Sequence, residues 1–336
     1  MSPTRVQAIA PGRVNLIGDH TDYMGGLALP MAIHLATTIT AELGGSTIEL
    51  RSHEIPGVVE VALPVRAASE VEPAWGRYVA GVATELGATI GMRGEVRSTV
   101  PAGSGLSSSA ALEVACALAL GDTGTAVEIA ERCQRAEQAA TGVPCGVMDQ
   151  LAITSGVAGH ALVIDCATLR VTPVPVPDTA AVWVVHSGQQ RQLVGSAYSE
   201  RRAQCEQAQL LVGALPDASD RAIADLEDPV LRRRARHVRT ECARVEAFAD
   251  ALIVADLVTC GELMRASHES LRADFEVSTP ALDELVESLC STPGVHGARL
   301  TGAGFGGCVV AIADPGVELP GWKVRPSAGA SVEFSD

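Results

Sequence analysis

The sequence predicts an α+β protein of two domains, and three observations carry that prediction. At 336 residues the chain is long enough for two domains of ordinary size, each with its own core. Residues 36–52 and 58–65 alternate apolar and polar side chains, as strands of an antiparallel sheet do. Apolar strand-like runs recur at 160–174, 180–185 and 295–312, and long amphipathic helical segments fill the interval up to Leu271. We expect one domain over 1–158 and a second over 159–336.

Composition excludes several classes of protein. The net charge of −15 argues against a nucleic-acid partner. The one basic run, Arg232-Arg233-Arg234-Ala-Arg236, is flanked by Asp225, Glu227, Asp228 and Glu241 and reads as a solvated helix face. No window approaches 18 apolar residues, which excludes a helical membrane span, and the first ten residues lack the pattern of a secretion signal, so a cytoplasmic protein is expected. Nine cysteines scattered without a C-x-x-C pair suit neither a disulfide framework nor a structural zinc site, and Cys145 and Cys308 are expected to pack.

The most informative stretch is Pro101-Ala-Gly-Ser-Gly-Leu-Ser-Ser-Ser-Ala-Ala-Leu112. Gly103 and Gly105 allow positive φ and close approach of a ligand, and Ser107, Ser108 and Ser109 fall where a helix begins. Free backbone N–H groups and the helix dipole then converge on one spot, which suits a phosphate. A glycine turn with a serine cap is the simpler reading, but three successive serines exceed what a cap requires. This is not the common P-loop, because Lys323 is the only lysine and lies far away. Backbone dipoles, an arginine or a metal ion must balance the phosphate charge.

From the N-terminus, Arg5–Ile9 reads as a short strand. Residues 10–33, bounded by glycines and prolines, read as a loop. Within it Arg13, Asp19, His20 and Asp22 place a guanidinium fork, two carboxylates and an imidazole within ten residues, a set able to bind sugar hydroxyls. Residues 73–81 open a helix to about Leu86, and 94–100 form the strand that delivers the phosphate loop. A helix of alternating charge over 126–140 precedes Gly142-Val-Pro-Cys-Gly-Val-Met-Asp-Gln150, where Asp149 is expected on a turn.

Residues 12–26 closely resemble the signature of galactokinases, members of the GHMP family of small-molecule kinases, departing from it only at Asp19 and Met24. Residues 101–112 resemble the second motif of that family, and Leu300-Thr-Gly-Ala-Gly-Phe-Gly-Gly-Cys308 the third. The resemblance implies the two-domain GHMP kinase fold, with an N-terminal domain like domain 2 of ribosomal protein S5 and a ferredoxin-like C-terminal domain. It implies transfer of phosphate from ATP to the anomeric hydroxyl of a sugar. Asp149 is then the catalytic carboxylate, Arg13 stabilises the transferring group, and Asp19, His20, Asp22, Gly146 and Tyr198 bind the sugar. ATP lies along Gly103, Ser104, Gly105, Leu106, Ser107, Ser108 and Ser109, with Trp75 at the adenine, and Mg²⁺ sits between Ser109 and Glu137. The glycines of the third motif are expected at the back of the nucleotide site, and His268 is expected to be structural. The partners are a sugar and ATP, with a monomer or weak dimer expected.

The departures carry a specificity expectation. Asp19 reaches about 1.5 Å less far than a glutamate on the same backbone, and the resemblance puts that residue at the far end of the sugar. A pocket altered near C6 follows, with Met24 pointing the same way. Two alternatives remain open: a GHMP kinase for another sugar such as arabinose or N-acetylgalactosamine, and a galactokinase-like sensor without turnover.

Overall fold

Two long antiparallel strands, β1 (Arg5–Ile17) and β2 (Leu27–Leu43), form the centre of the computed structural model, which describes residues 4–101, 103–189 and 194–335, apart from the side chains of 194–196. Ala102 of the phosphate loop therefore lies outside the described residues. The segment expected as a loop over 10–33 is instead strand, a three-residue 3₁₀ turn at Asp22–Met24, and strand. Its polar residues misled the periodicity because both strands are buried on both faces along much of this stretch. The β1–β2 register shifts between Pro11 and Arg13 and again between Asn15 and Ile17, irregularities that re-aim side chains close to Arg13.

The chain continues through β3 (Thr47–Ser52), β4 (Val58–Ala62), α1 (Gly76–Leu86), β5 (Met92–Ser98), α2 (Ser108–Ala119), α3 (Ala126–Thr141) and α4 (Met148–Thr154). β6 (His160–Asp165), β7 (Arg170–Pro175) and β8 (Ala181–His186) follow, then α5 (Val194–Val212), α6 (Asp220–Ala224), α7 (Pro229–Ile253), α8 (Leu257–Ala273) and α9 (Pro280–Cys290). The chain ends in β9 (Val295–Thr301), β10 (Cys308–Ala313), β11 (Trp322–Val324) and β12 (Ser331–Ser335). α3 opens with a capping box between Thr125 and Glu128, and Asp228 caps α7 ahead of Pro229.

The first sheet runs β12-β1-β2-β5-β3-β4, with β6 on β2 and β7 on β6. The second is antiparallel, in the order β11-β8-β10-β9. Strand pairing thus assigns β6, β7 and the C-terminal β12 to the first sheet, so a division between residues 158 and 159 cuts across that sheet. Pro173 lies in β7, an edge strand where a missing N–H is tolerated.

One core forms between the first sheet and α1 to α3, from Val6, Ile39, Ile48, Val79, Val114 and their neighbours. Another lies between the second sheet and its helices, around Trp183, Phe275, Leu300 and Val309. A third joins the two halves, packing Val14, Leu16, Leu29 and Met31 against Val245, Phe248, Val310 and Ile312. The first motif is therefore held from both sides. The expected solvated basic face is corrected at Arg234, which is 2% exposed and bonds Gln204, the Asp274 carbonyl and Glu276.

Candidate active site

Gly12 is where the phosphate loop docks on β1: an added Cβ would lie 2.7 Å from the Leu106 carbonyl, which the Arg13 N–H meets at 3.1 Å. This close approach leaves the Arg13 side chain, 4% exposed, between the loop and α4. Its Nε and one terminal nitrogen donate to the two oxygens of Asp149, each at 2.8 Å, a bidentate geometry particular to arginine. The other terminal nitrogen donates to the Gly105 carbonyl at 2.5 Å. Asp149 lies in the first turn of α4 and not on a turn ahead of it, so its placement comes from the helix start.

Gly103 and Gly105 both take positive φ, at 72° and 76°, as expected. Ser107 occupies the N-cap of α2 at φ 58° without capping through its side chain; its hydroxyl donates to Asp149 instead. The first turn of α2 offers its backbone N–H groups to an anion. Ser104 and Leu106 differ from the rest of the loop. Ser104 closes a turn onto the Pro101 carbonyl, and the Leu106 side chain is fully buried in the core between the two halves.

Two cavities meet at Arg13, Glu137 and Asp149. One, of about 460 Å³, is lined by Gly103, Gly105, Ser107, Ser108, Ser109, Trp75 and Tyr78 among others. The other, of about 170 Å³, is lined by Asp19, His20, Asp22, Tyr23, Gly146 and Tyr198, and also by Gly302 and Ala303. The third motif thus walls the smaller cavity and does not back the larger one.

The smaller cavity is acidic. Burial first, then Asp149 and Asp19 nearby, push the Asp22 carboxyl up to about 6. Gly146 is fixed by this group, because a Cβ there would fall 1.8 Å from Asp22 Oδ2. His20, at φ 64°, has its ring nitrogens 3.0 Å from the Tyr23 hydroxyl and 3.3 Å from the Ala303 carbonyl, and burial above all lowers it to about 3. Tyr198 packs against both His20 and Tyr23, with ring centroids 5.6 and 5.4 Å away. Asp19 is turned towards the protein: Oδ1 accepts the Gly302 N–H at 2.9 Å, and Oδ2 lies 2.5 Å from Arg299, a charge contact without hydrogen-bond alignment.

Glu137 of α3 accepts from Ser109 at 3.2 Å and from Gln150 at 2.7 Å, and among the described residues it meets no basic side chain. Burial, then Asp149, raise its pKa. A half-buried carboxylate with no basic partner among the described residues, beside a hydroxyl at the edge of the glycine-serine turn, fits Mg²⁺, which takes few protein ligands and completes its shell with phosphate oxygens and water. Among the described residues no group of three or more His, Cys, Asp or Glu could hold a metal ion. Gln150 also donates to Glu113 at 3.1 Å, and Glu113 is fully buried. Glu113 was missed from sequence, although it is the one charged residue of α2. His268 bonds Asp283 and the Leu300 N–H and is structural, as expected.

Fold and site together define a small-molecule kinase of the GHMP class, and the comparisons agree: the GHMP kinase N-terminal domain matches residues 63–157 and the C-terminal domain 248–318. The galactokinase galactose-binding signature matches residues 2–43. The galactokinase of Bos taurus is 44% identical over 322 residues, 90% of this chain and 82% of that one. That of Chloroflexus aurantiacus is 43% identical over 339 residues, 92% and 84% of the two chains. The crystal structure of Lactococcus lactis galactokinase complexed with galactose superposes with a TM-score of 0.89 at 31% identity, covering 97% of this chain and 95% of that one. The chain belongs to the galactokinase family of sugar kinases.

Proposed function

We propose that this protein transfers the γ-phosphoryl group of ATP to the anomeric hydroxyl of galactose, releasing ADP and galactose 1-phosphate. The observation that carries the reading is the Arg13–Asp149 pair at the junction of two cavities, one built for a phosphate chain and the other lined with hydroxyl-binding groups.

In this reading the larger cavity takes ATP, with its phosphates along residues 103–109 and Trp75 in the wall beside the base. Trp75 is 8% exposed and lines that cavity together with Tyr78. Asp22, His20, Tyr198 and the Gly146 backbone hold the sugar in the smaller one. Asp149 Oδ2 accepts the proton of the attacking hydroxyl, which takes the place of the Ser107 hydroxyl that now donates to it. Arg13 keeps the carboxylate oriented and lies beside the transferring group. Phosphoryl transfer needs little more than positioning and charge stabilisation, so a carboxylate held by the Arg13 fork suffices as base. Ser109 and Glu137 would hold Mg²⁺, which neutralises phosphate charge when bound.

Intact Arg13 and Asp149 speak against a sensor without turnover. For the partners we propose only the two small molecules, in the cytoplasm; among the described residues no helix is long and apolar enough to cross a membrane. A coupled ADP-release assay on galactose, arabinose and N-acetylgalactosamine tests the reading. Turnover on galactose supports it, and turnover on another sugar alone overturns it.

A further inference from the structure

The backbone of the sugar-binding turn is gripped from behind by side chains of the second half of the molecule that touch neither cavity. The Gly18 N–H donates to Glu241 at 3.0 Å, and Glu241 is fully buried with further bonds from Arg244 and Ser267. The Asp19 carbonyl meets His237 Nε2 at 3.1 Å, and His237 Nδ1 meets the Ser270 hydroxyl at 2.9 Å. A carbonyl can only accept, so Nε2 carries the proton, and burial keeps the ring neutral by lowering it to about 4. The Nδ1 lone pair is then left for Ser270, so the tautomer is fixed by its two partners. Phe275 lies between two imidazoles, its centroid 4.5 Å from that of His237 and 4.7 Å from that of His20.

These contacts converge on His20. It is held at φ 64°, a conformation strained for a residue with a Cβ that persists only where the surroundings impose it. Its ring is at the same time a wall of the smaller cavity. We propose that His237 is a positioning residue for the sugar site: by fixing the Asp19 carbonyl and backing Phe275, it holds His20 in the left-handed conformation that presents its ring to the substrate. The role rests on the reading of the smaller cavity as the sugar site, and it acts on sugar affinity, since neither contact touches the phosphate loop.

The test uses two amides of similar polarity and different reach. In His237→Gln the amide nitrogen falls near the position of Nε2 and can still donate to the Asp19 carbonyl. In His237→Asn it falls near Nδ1, can meet Ser270 and stops short of Asp19. The expected result is a galactose KM raised about tenfold in the Asn variant and restored to within about threefold of wild type in the Gln variant, with kcat and the ATP KM little changed in both. Phe275→Leu, which removes the ring and leaves the His237 hydrogen bonds, is expected to raise the galactose KM alone. Equal losses in the Gln and Asn variants, or a fall in kcat together with a rise in ATP KM, would overturn the assignment and leave His237 a general packing residue. An unchanged galactose KM in the Asn variant overturns it as well. If wild-type enzyme failed to turn over galactose at all, the substrate reading would fail instead, so the two failures are distinguishable.

Discussion

Asp22 Oδ2 sits so close over Gly146 that no side chain larger than hydrogen fits between them; an ideal Cβ would be 1.8 Å away. Two segments far apart in sequence, the 3₁₀ turn after β1 and the approach to α4, therefore form one wall of the smaller cavity. Gly146→Ala must displace either the Asp22 carboxylate or the start of α4, which carries Asp149. A galactose KM raised by about tenfold or more, equivalent to roughly 1.4 kcal/mol, is expected from steady-state kinetics, with the ATP KM little affected. Wild-type sugar affinity in this variant would remove Asp22 and Gly146 from the cavity wall.

The same carboxylate predicts a pH dependence. With Asp22 raised to about 6 by burial and by Asp149 and Asp19, the free enzyme carries it ionised only above that pH. Protonation turns a two-oxygen acceptor into a mixed donor and acceptor, so kcat/KM for galactose should fall as pH drops through about 6. Asp22→Asn should lose that step, with a lower value throughout. A profile of the wild type that is flat between pH 5 and 7 contradicts the arrangement.

Glu113 makes a prediction about stability. Burial raises its pKa well above the ordinary 4.5. The folded state therefore binds the proton more tightly than the unfolded chain, and stability is greatest below the unfolded pKa and declines as pH rises above it. The slope from one such group is at most about 1.4 kcal/mol per pH unit. Glu113→Gln keeps the shape and removes the titration, so its stability relative to wild type in urea unfolding should improve from pH 5 to pH 8. A constant difference across that range contradicts the assignment.

Glu137 and Ser109 predict how the metal is held. ADP binding to the wild type, measured calorimetrically, should tighten when Mg²⁺ is added. In Glu137→Gln that tightening should shrink by about tenfold or more, while metal-free ADP binding stays near the wild-type value. An undiminished Mg²⁺ effect places the ion elsewhere.

Motifs were legible where chemistry and local geometry coincide. Gly103 and Gly105 needed positive φ, the loop at 101–112 led into a helix, and Arg13 and Asp149 came together across 136 residues as the resemblance implied. Element type failed where burial on both faces hid the strand period, as in β1 and β2 around the first motif. The third motif was placed on the wrong cavity because a glycine turn does not state which neighbour it serves; the Gly302 N–H contact to Asp19 decides it. Asp19 itself is engaged with Arg299 and Gly302, so its short side chain is matched to a protein partner as well as lining the smaller cavity. His237 and Arg299 carried no local signal, and Glu241, read with a solvated helix face, is fully buried, since single polar residues in a helix or strand reveal their burial only once the halves pack. Glu113 could have been found as the lone charge in an apolar helix.

The account rests on Asp149 as the group that takes the sugar proton beside Arg13. Turnover of Asp149→Asn with galactose and ATP, alongside equilibrium binding of each substrate, measures this most directly. Binding of both within a few-fold of wild type with kcat lowered by about a hundredfold or more is the predicted result. Near-normal turnover in that variant would contradict the account.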